Sequence, residues 1–400
     1  MQINALEKIN TNPPPYNTHQ RTSWIAKTEH TMFMLSIFLY PIVSMSHVLY
    51  LIPLMILLGL SITNRHKRLY TSDYAAMAAG VAAFIIPFAV EFSSQTPSQE
   101  LTSKLIVNAI GIMIIAGNER FSLSYKSLNN LRVSCIIWIL IALVVYVKSG
   151  VTSLSAVWMQ LNASSEMNSS SLYGIAEPLR DIFLTKNISA MFVVSVFSLY
   201  LYISINLKKN VTIIEFAIFF IAALVFLSRQ AIMGMIIIYG LYRFIVAGHL
   251  NKVIIVTVLI TCATIFFTAF FNLNNSNDGA SQRLLLWSYF LSHYQNFFLL
   301  GLGVSDLNAT LISNYGIDNF HMFFMNQIGA YGFIHFIFFS AFLILIYIRK
   351  GSQKGRILLA TGYLLNVCFQ TYGYEYGNLF LFMAMFASIN TNKTRTIKFK

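Results

Sequence analysis

Charged residues are scarce in this sequence. Asp, Glu, Lys and Arg together make up 10% of the 400 residues, whereas soluble domains usually contain about 25%. Hydrophobic residues make up 56% of the chain. So little charge leaves too little polar surface for an ordinary water-soluble fold, and the composition therefore indicates a membrane protein.

The sequence also lacks the patterns of several kinds of site. Its cysteines, Cys135, Cys262 and Cys368, all lie in apolar runs and offer neither a disulfide framework nor a metal quartet. The aspartates never form Asp-x-Asp, and no cluster of His, Cys, Asp or Glu has metal-ligand spacing. A phosphate-binding Gly-x-x-x-x-Gly-Lys loop is missing as well. We therefore expect no metal and no cofactor.

The first thirty residues do not have the pattern of a cleavable signal peptide. They are polar, include Pro13, Pro14 and Pro15, and contain no apolar core. We expect residues 1–30 to form a mostly unstructured cytoplasmic tail, and residues 392–400 to form a second one.

The long apolar runs between these tails predict the fold class. They are continuous, unlike the alternating segments of a membrane β-barrel, and several approach the roughly 20 residues that a spanning helix needs. We predict an all-α, polytopic transmembrane bundle of about twelve spans within residues 31–391. The predicted spans are 31–46, 47–62, 73–91, 104–117, 133–149, 187–206, 211–227, 230–247, 253–271, 321–348, 357–371 and 378–391.

The distribution of positive charge predicts the orientation. The net charge is +13, but about 21 of the 27 Lys and Arg residues fall in segments on one side of the predicted bundle. Basic loops lie preferentially in the cytoplasm, so we predict cytoplasmic ends and no nucleic-acid partner. Two long loops, 150–186 and 272–320, would then be periplasmic. Leu284–Phe290 and Phe297–Leu302 in the second loop are apolar enough to form short interfacial helices.

The few basic residues on the predicted outer side are candidates for function. Arg229 lies in a very short outer turn, and Arg283 precedes Trp287 by one helical turn. A guanidinium matches a phosphate group in a bidentate manner. His321 begins a span, where helical spacing would place it on one face with Gly332, and a histidine can act as acid or base near neutral pH. The alternative is that the two arginines are interfacial anchors and that His321 is a hydrogen-bonded structural histidine.

Trp287 and three further residues are candidates for substrate contacts at the outer face. Glu177 and Arg180 precede the predicted span 187–206, and Glu375 lies in a short outer turn rich in tyrosine. A carboxylate there could serve as a base. The alternative for each is a solvated or structural role.

The order of these features resembles the bacterial O-antigen polymerase and O-antigen ligase superfamily. The features are Ser228-Arg229 at an outer turn, a long outer loop with Arg283-x-x-x-Trp287 and Gly301-x-Gly303, and His321 followed by Gly329 and Gly332. The specific part covers roughly residues 225–335.

The resemblance implies a metal-independent, inverting glycosyltransferase with a GT-C-like helical fold in the bacterial inner membrane. Its site would lie on the periplasmic face, and its donor and acceptor would be glycans on undecaprenyl diphosphate. Arg229 and Arg283 would bind the diphosphate, and His321 would assist the acceptor hydroxyl. Membrane lipids and a chain-length regulator protein would be its other partners.

Three interpretations remain at this point. A polymerase fits the second sizeable outer loop at 150–186 and the modest length of the loop before His321. A ligase would transfer finished polymer to the lipid A core. A lipid-linked oligosaccharide flippase would also have about twelve spans, but transporters usually have repeated halves and polar residues near mid-membrane.

Overall fold

The chain folds as a bundle of α-helices. The computed structural model describes residues 23–44, 49–63, 71–93, 120–151, 174–270, 279–348, 355–371, 376–385 and 387–390. Its α-helices are α1 Ser23–Leu39, α2 Leu51–Thr63, α3 Thr71–Ser93, α4 Tyr125–Lys148, α5 Lys186–Asn206, α6 Ile213–Leu224, α7 Arg229–Val246, α8 His249–Phe270, α9 Gly279–His293, α10 Val304–Tyr315, α11 Phe323–Ile348, α12 Arg356–Phe369 and α13 Tyr376–Met385. Short 3-10 helices cover Gly174–Asp181 and Tyr294–Phe297.

Five of these helices are long and apolar enough to cross a membrane, among the residues that the structure describes. They comprise most of α3 (Tyr74–Ser93) and the whole of α4, α5, α7 and α11. The chain is therefore a helical membrane protein by the length and composition of its helices. The other apolar helices are shorter, and they include α6 and α12.

The apolar runs located the helices well. Every predicted span overlaps a helix except 104–117, which lies outside the described residues. Several helix ends differ from the predicted boundaries. Helix α1 begins at Ser23 and ends at Leu39, so the predicted tail 1–30 includes about two helical turns and the first predicted span is shifted. Helix α4 begins at Tyr125, ahead of the predicted span 133–149. The last predicted span, 378–391, is helical only to Met385 and continues as a strand.

That strand, β2 (Ala387–Ile389), pairs in parallel with β1 (Arg120–Leu123). The backbone nitrogen of Asn390 donates to the Leu123 carbonyl at 2.8 Å and extends the pairing. Strand β1 leads directly into α4, whose first turn is capped by Ser124. The pairing satisfies the backbone groups of both segments, so residues 387–389 need no helix to do so.

Helix α5 is the centre of the bundle. Its side chains from Ser189 to Ser204 are all buried, as expected for a helix that is apolar on every face. Small residues allow close approach by its neighbours: Gly234 of α7 packs on Val194, and Gly362 of α12 packs on Ser198. Helices α7 and α12 thus pack closely against the middle of α5.

Residues 279–320, the described part of the predicted outer loop 272–320, fold into a small helical unit with its own core. Helices α9 and α10 and the second 3-10 helix bury Leu286, Phe290, Phe297, Leu307 and Phe320 against α3 and α11. The expected helix at Leu284–Phe290 is part of α9. The expected helix at Phe297–Leu302 is wrong, since Phe297 ends the second 3-10 helix and residues 298–302 form a turn and irregular chain, with Gly301 at φ 69°.

Helix α11 is broken at Gly332, which has φ 82° and ψ 174°. Essentially only glycine adopts this conformation, and a Cβ at Gly332 would overlap the Leu299 carbonyl. The predicted single face shared by His321 and Gly332 is therefore wrong, because the break changes the helical register and His321 precedes the helix. The turn at residues 298–303 packs into the break.

The opposite end of the bundle is held by a buried carboxylate, Glu215. It pairs with Lys209 and accepts a hydrogen bond from Arg132 Nη1 at 3.2 Å, and Lys209 also donates to the Tyr200 hydroxyl at 3.0 Å. These contacts tie α4, α5 and α6 together where α5 ends. Both cations of this cluster are paired with a carboxylate, in contrast to the cationic end described next.

Candidate functional site

Arg229 is the first residue of α7, and its position is fixed by the residues beside it. The Ser228 hydroxyl donates to Asn187 Oδ1 at 2.9 Å and joins the beginning of α7 to the beginning of α5. Leu227 has φ 54°, a left-handed conformation that residues other than glycine rarely adopt. The tight turn that the sequence predicted is therefore present, and the Ser228 side chain joins it to the beginning of α5.

Arg283 lies on α9 and is held by a neutral partner. With the Gln230 side-chain oxygen turned toward it, that oxygen accepts from Arg283 Nη1 at 3.1 Å and from Nη2 at 2.7 Å. The Gln370 amide lies 3.4 Å from the Gln230 amide, and the Phe369 ring lies 6.0 Å from Arg283 Cζ. Among the described residues, no carboxylate forms an ion pair with Arg283. Its charge is oriented but not cancelled.

The positive charges interact with one another. Burial and the charge of Arg229 lower the pKa of Arg283 to about 10, so this guanidinium stays charged at neutral pH. Lys186 interacts electrostatically with Arg229 and with Glu177. Three cations thus gather where α5 and α7 begin, an arrangement that favours an anion because both helix N-termini add partial positive charge.

Glu177 and Arg180 lie at the edge of this cluster. Both are in the 3-10 helix before α5, and Arg180 Nη1 lies 2.9 Å from Glu177 Oε1 in an exposed ion pair. Such exposed pairs contribute little to stability. Their predicted contact with substrate stays a prediction.

His321 stands in a strained turn just before α11. Its φ is 51°, and its backbone nitrogen donates to Asn319 Oδ1 at 2.8 Å. The same oxygen accepts from the Thr371 hydroxyl at 2.8 Å, which ties the turn to the end of α12. Trp287 Nε1 donates to the Phe320 carbonyl at 3.2 Å. Strained residues held by several contacts are frequent at functional sites.

The electrostatic surroundings keep His321 neutral. Burial, followed by the charge of Arg283, lowers the pKa of His321 to about 4, and Asp318 opposes this shift. At neutral pH the imidazole is therefore uncharged and can accept a proton. Arg283 and Trp287 lie on one face of α9, as the sequence predicted, so the helix that orients the guanidinium also orients the histidine turn.

The structure brings together Arg229, Arg283, Trp287 and His321, the central residues of the sequence prediction. Glu375 lies outside the described residues. Sequence reasoning missed the residues that hold them: Gln230, Asn319 and Thr371. Their only sequence signal is position, because each lies within two residues of a candidate residue or at the end of a span. In the described part of the chain, no group of three His, Cys, Asp or Glu residues could hold a metal ion.

Fold and site together define a helical membrane protein with a cationic site at one end of its bundle, where α5, α7 and α11 begin and α12 ends. Comparison with known protein families finds none that matches this chain, and comparison with curated proteins finds no match either.

Proposed function

We propose that this protein is a glycosyltransferase of the bacterial inner membrane, an O-antigen polymerase that joins undecaprenyl-diphosphate-linked repeat units on the periplasmic face. One observation carries the proposal: two arginines and a neutral histidine from distant parts of the chain meet at one end of the bundle. A lipid diphosphate arrives at the membrane interface, where this constellation would meet it. The sequence resemblance supports the same assignment.

In the proposed reaction the acceptor hydroxyl attacks the anomeric carbon of the donor glycan. The neutral His321 imidazole accepts the hydroxyl proton. The bond from the anomeric carbon to the diphosphate oxygen breaks, and undecaprenyl diphosphate departs with the bonding electrons. Arg229 and Arg283 stabilise the charge that develops on that oxygen. Attack opposite the leaving group inverts the anomeric configuration.

The low pKa of His321 predicts an unusual pH dependence of the transfer rate. Because the free site holds the pKa of His321 at about 4, the base is already deprotonated above roughly pH 5. We expect kcat/KM, which reports groups of the free enzyme, to fall only as the pH drops through about 4. For kcat we expect the acidic limb at higher pH, because a bound diphosphate raises the pKa of the imidazole.

The measurement is the rate of glycan transfer between pH 3.5 and 8 in an assay with the purified protein. Samples held at each pH and assayed again at pH 7 control for acid unfolding. An acidic limb of kcat/KM near pH 6.5, the ordinary histidine value, would contradict the proposed neutral and desolvated His321.

Deletion of the gene in its native host tests the biological assignment. A polymerase defect is expected to leave lipopolysaccharide that carries a single repeat unit, visible as one band above the core on a gel. Bare core without any repeat would support the ligase instead. A normal ladder of polymer lengths would contradict both.

A further inference from the structure

The break in α11 is filled by backbone from the turn that precedes α10. We call residues 298–303 the inserted segment. Leu302 and Gly303 donate their backbone N–H groups to the carbonyls of Gly329 and Ala330, at 3.0 and 2.8 Å. Beyond the break, the Phe333 nitrogen donates to the Phe298 carbonyl at 2.8 Å. The inserted segment therefore satisfies helix groups that the break would leave unpaired.

This pairing occurs far along a helix that is long enough to cross a membrane. Helix α11 begins at Phe323 and breaks at Gly332. At about 1.5 Å per residue the break lies about 14 Å from the beginning of the helix. A bilayer has a hydrocarbon core of roughly 30 Å, so the inserted segment reaches well below the surface of a membrane that α11 crosses.

The side chains of the inserted segment suit that depth. Phe298, Leu299 and Leu300 are exposed by 47%, 59% and 58%. The Phe298 ring stacks on Phe333, with centroids 5.6 Å apart and an interplanar angle of 10°. Phe333 is itself exposed, as is Ile337 one turn further along α11. The exposed surface of the segment is therefore continuous with the exposed side of a candidate span.

Charge is absent from this part of the chain. Residues 284–305 contain no Asp, Glu, Lys or Arg. Three exposed apolar side chains in such a stretch would cost free energy in water, at about 25 cal/mol per Å² of apolar surface. Irregular backbone is tolerated within a membrane only where protein satisfies its polar groups, and the hydrogen bonds to α11 do this.

We propose that Phe298, Leu299 and Leu300 form a re-entrant wedge that enters the hydrocarbon of one leaflet and contacts the acyl chains of the bilayer. The partner is bulk lipid, and the proposal does not depend on the protein being a glycosyltransferase. The unit formed by α9 and α10 would then be anchored in the membrane by this wedge as well as by α11.

Spin labelling tests the wedge. Single cysteines are introduced at Leu299 or Leu300 in a chain whose native cysteines are alanine, labelled with a nitroxide, and reconstituted in phosphatidylcholine vesicles. Both side chains are exposed, so the labels replace no core packing. Ile337, exposed on α11, gives the lipid reference, and Ser313, exposed on α10, gives the aqueous reference.

Labels at Leu299 and Leu300 are expected to collide with oxygen as strongly as the label at Ile337, and to be shielded from a water-soluble nickel chelate. Strong collision with the nickel chelate, as expected at Ser313, would place the segment in water and overturn the proposal. Shielding from both reagents would also overturn it, because protein, such as a second copy of the chain, would then cover the surface. Loss of the oxygen collisions when undecaprenyl diphosphate is added to the vesicles would assign the surface to the substrate chain and contradict bulk lipid.

Discussion

Replacement of Arg229 or Arg283 by alanine is expected to lower the specific rate of glycan transfer about 10- to 150-fold. Each change removes a charge-assisted contact to the leaving diphosphate worth about 1.5–3 kcal/mol, and every 1.36 kcal/mol of transition-state stabilisation is a factor of about ten in rate. Lysine is expected to restore only part of the rate, because an ammonium group cannot bind two phosphate oxygens as a planar guanidinium does.

Arg243 provides a matched control for this pair. It is exposed near the end of α7, the same helix that begins with Arg229. Arg243→Ala should leave the specific rate unchanged. Rates are normalised to membrane-inserted protein, since an anchoring role would lower protein amount without lowering activity per molecule. Full specific activity in both Arg229→Ala and Arg283→Ala would contradict the proposed contacts to the diphosphate.

Replacement of Gln230 by glutamate is expected to abolish most of the activity, by a factor similar to the loss of Arg283 itself. Gln230 holds Arg283 through both terminal nitrogens without cancelling its charge. A carboxylate at this position would form a bidentate ion pair with the guanidinium. It would also attract Arg229 and Lys186. The substrate diphosphate would then compete with the introduced carboxylate for these cations.

Protein amount separates this effect from a folding defect. A carboxylate at position 230 reduces the repulsion among the nearby cations. The amount of membrane-inserted Gln230→Glu protein should therefore equal or exceed that of the wild type. Asn251→Asp adds the same charge at an exposed position near the beginning of α8 and should retain activity. Gln230→Ala leaves Arg283 charged but less ordered. Its specific rate should lie between that of Gln230→Glu and that of the wild type. Unimpaired transfer by Gln230→Glu would show that the charge of Arg283 is not used.

The sequence located most helices because apolar length is itself a signal. A run such as Lys186–Asn206, with no charge after its first residue, has few alternatives to a buried or spanning helix. Local pattern was also sufficient for Arg283 and Trp287, which are one turn apart on α9. Helical spacing fixed that relation without any knowledge of the tertiary structure.

The break in α11 could not be predicted in the same way. Gly332 stands in an apolar run that reads as one continuous helix, and glycine is common in membrane helices. Its φ of 82° depends on Leu299 and Leu300, which lie more than thirty residues earlier in the chain. A tertiary contact thus overrode the local pattern. For the same reason the predicted face shared by His321 and Gly332 failed.

The partners of the candidate residues were hidden for a related reason. Gln230, Asn319 and Thr371 are ordinary polar residues near helix ends, where a polar side chain is the usual finding. Their importance depends on what they contact: Gln230 binds a guanidinium from α9, and Asn319 joins the His321 turn to Thr371 at the end of α12. Strand β2 was hidden for the same reason, because its partner β1 lies far earlier in the chain.

Glycan transfer by the purified protein in nanodiscs tests the central claim most directly. The substrate is a synthetic undecaprenyl-diphosphate-linked repeat unit, and the reaction is run in EDTA because the sequence has no metal-ligand cluster. The proposed function predicts products that grow by whole repeat units and release undecaprenyl diphosphate, at rates that fall in Arg229→Ala, Arg283→Ala and Gln230→Glu. Movement of the substrate across a vesicle membrane by the wild-type protein, without any lengthening of the glycan, would contradict it.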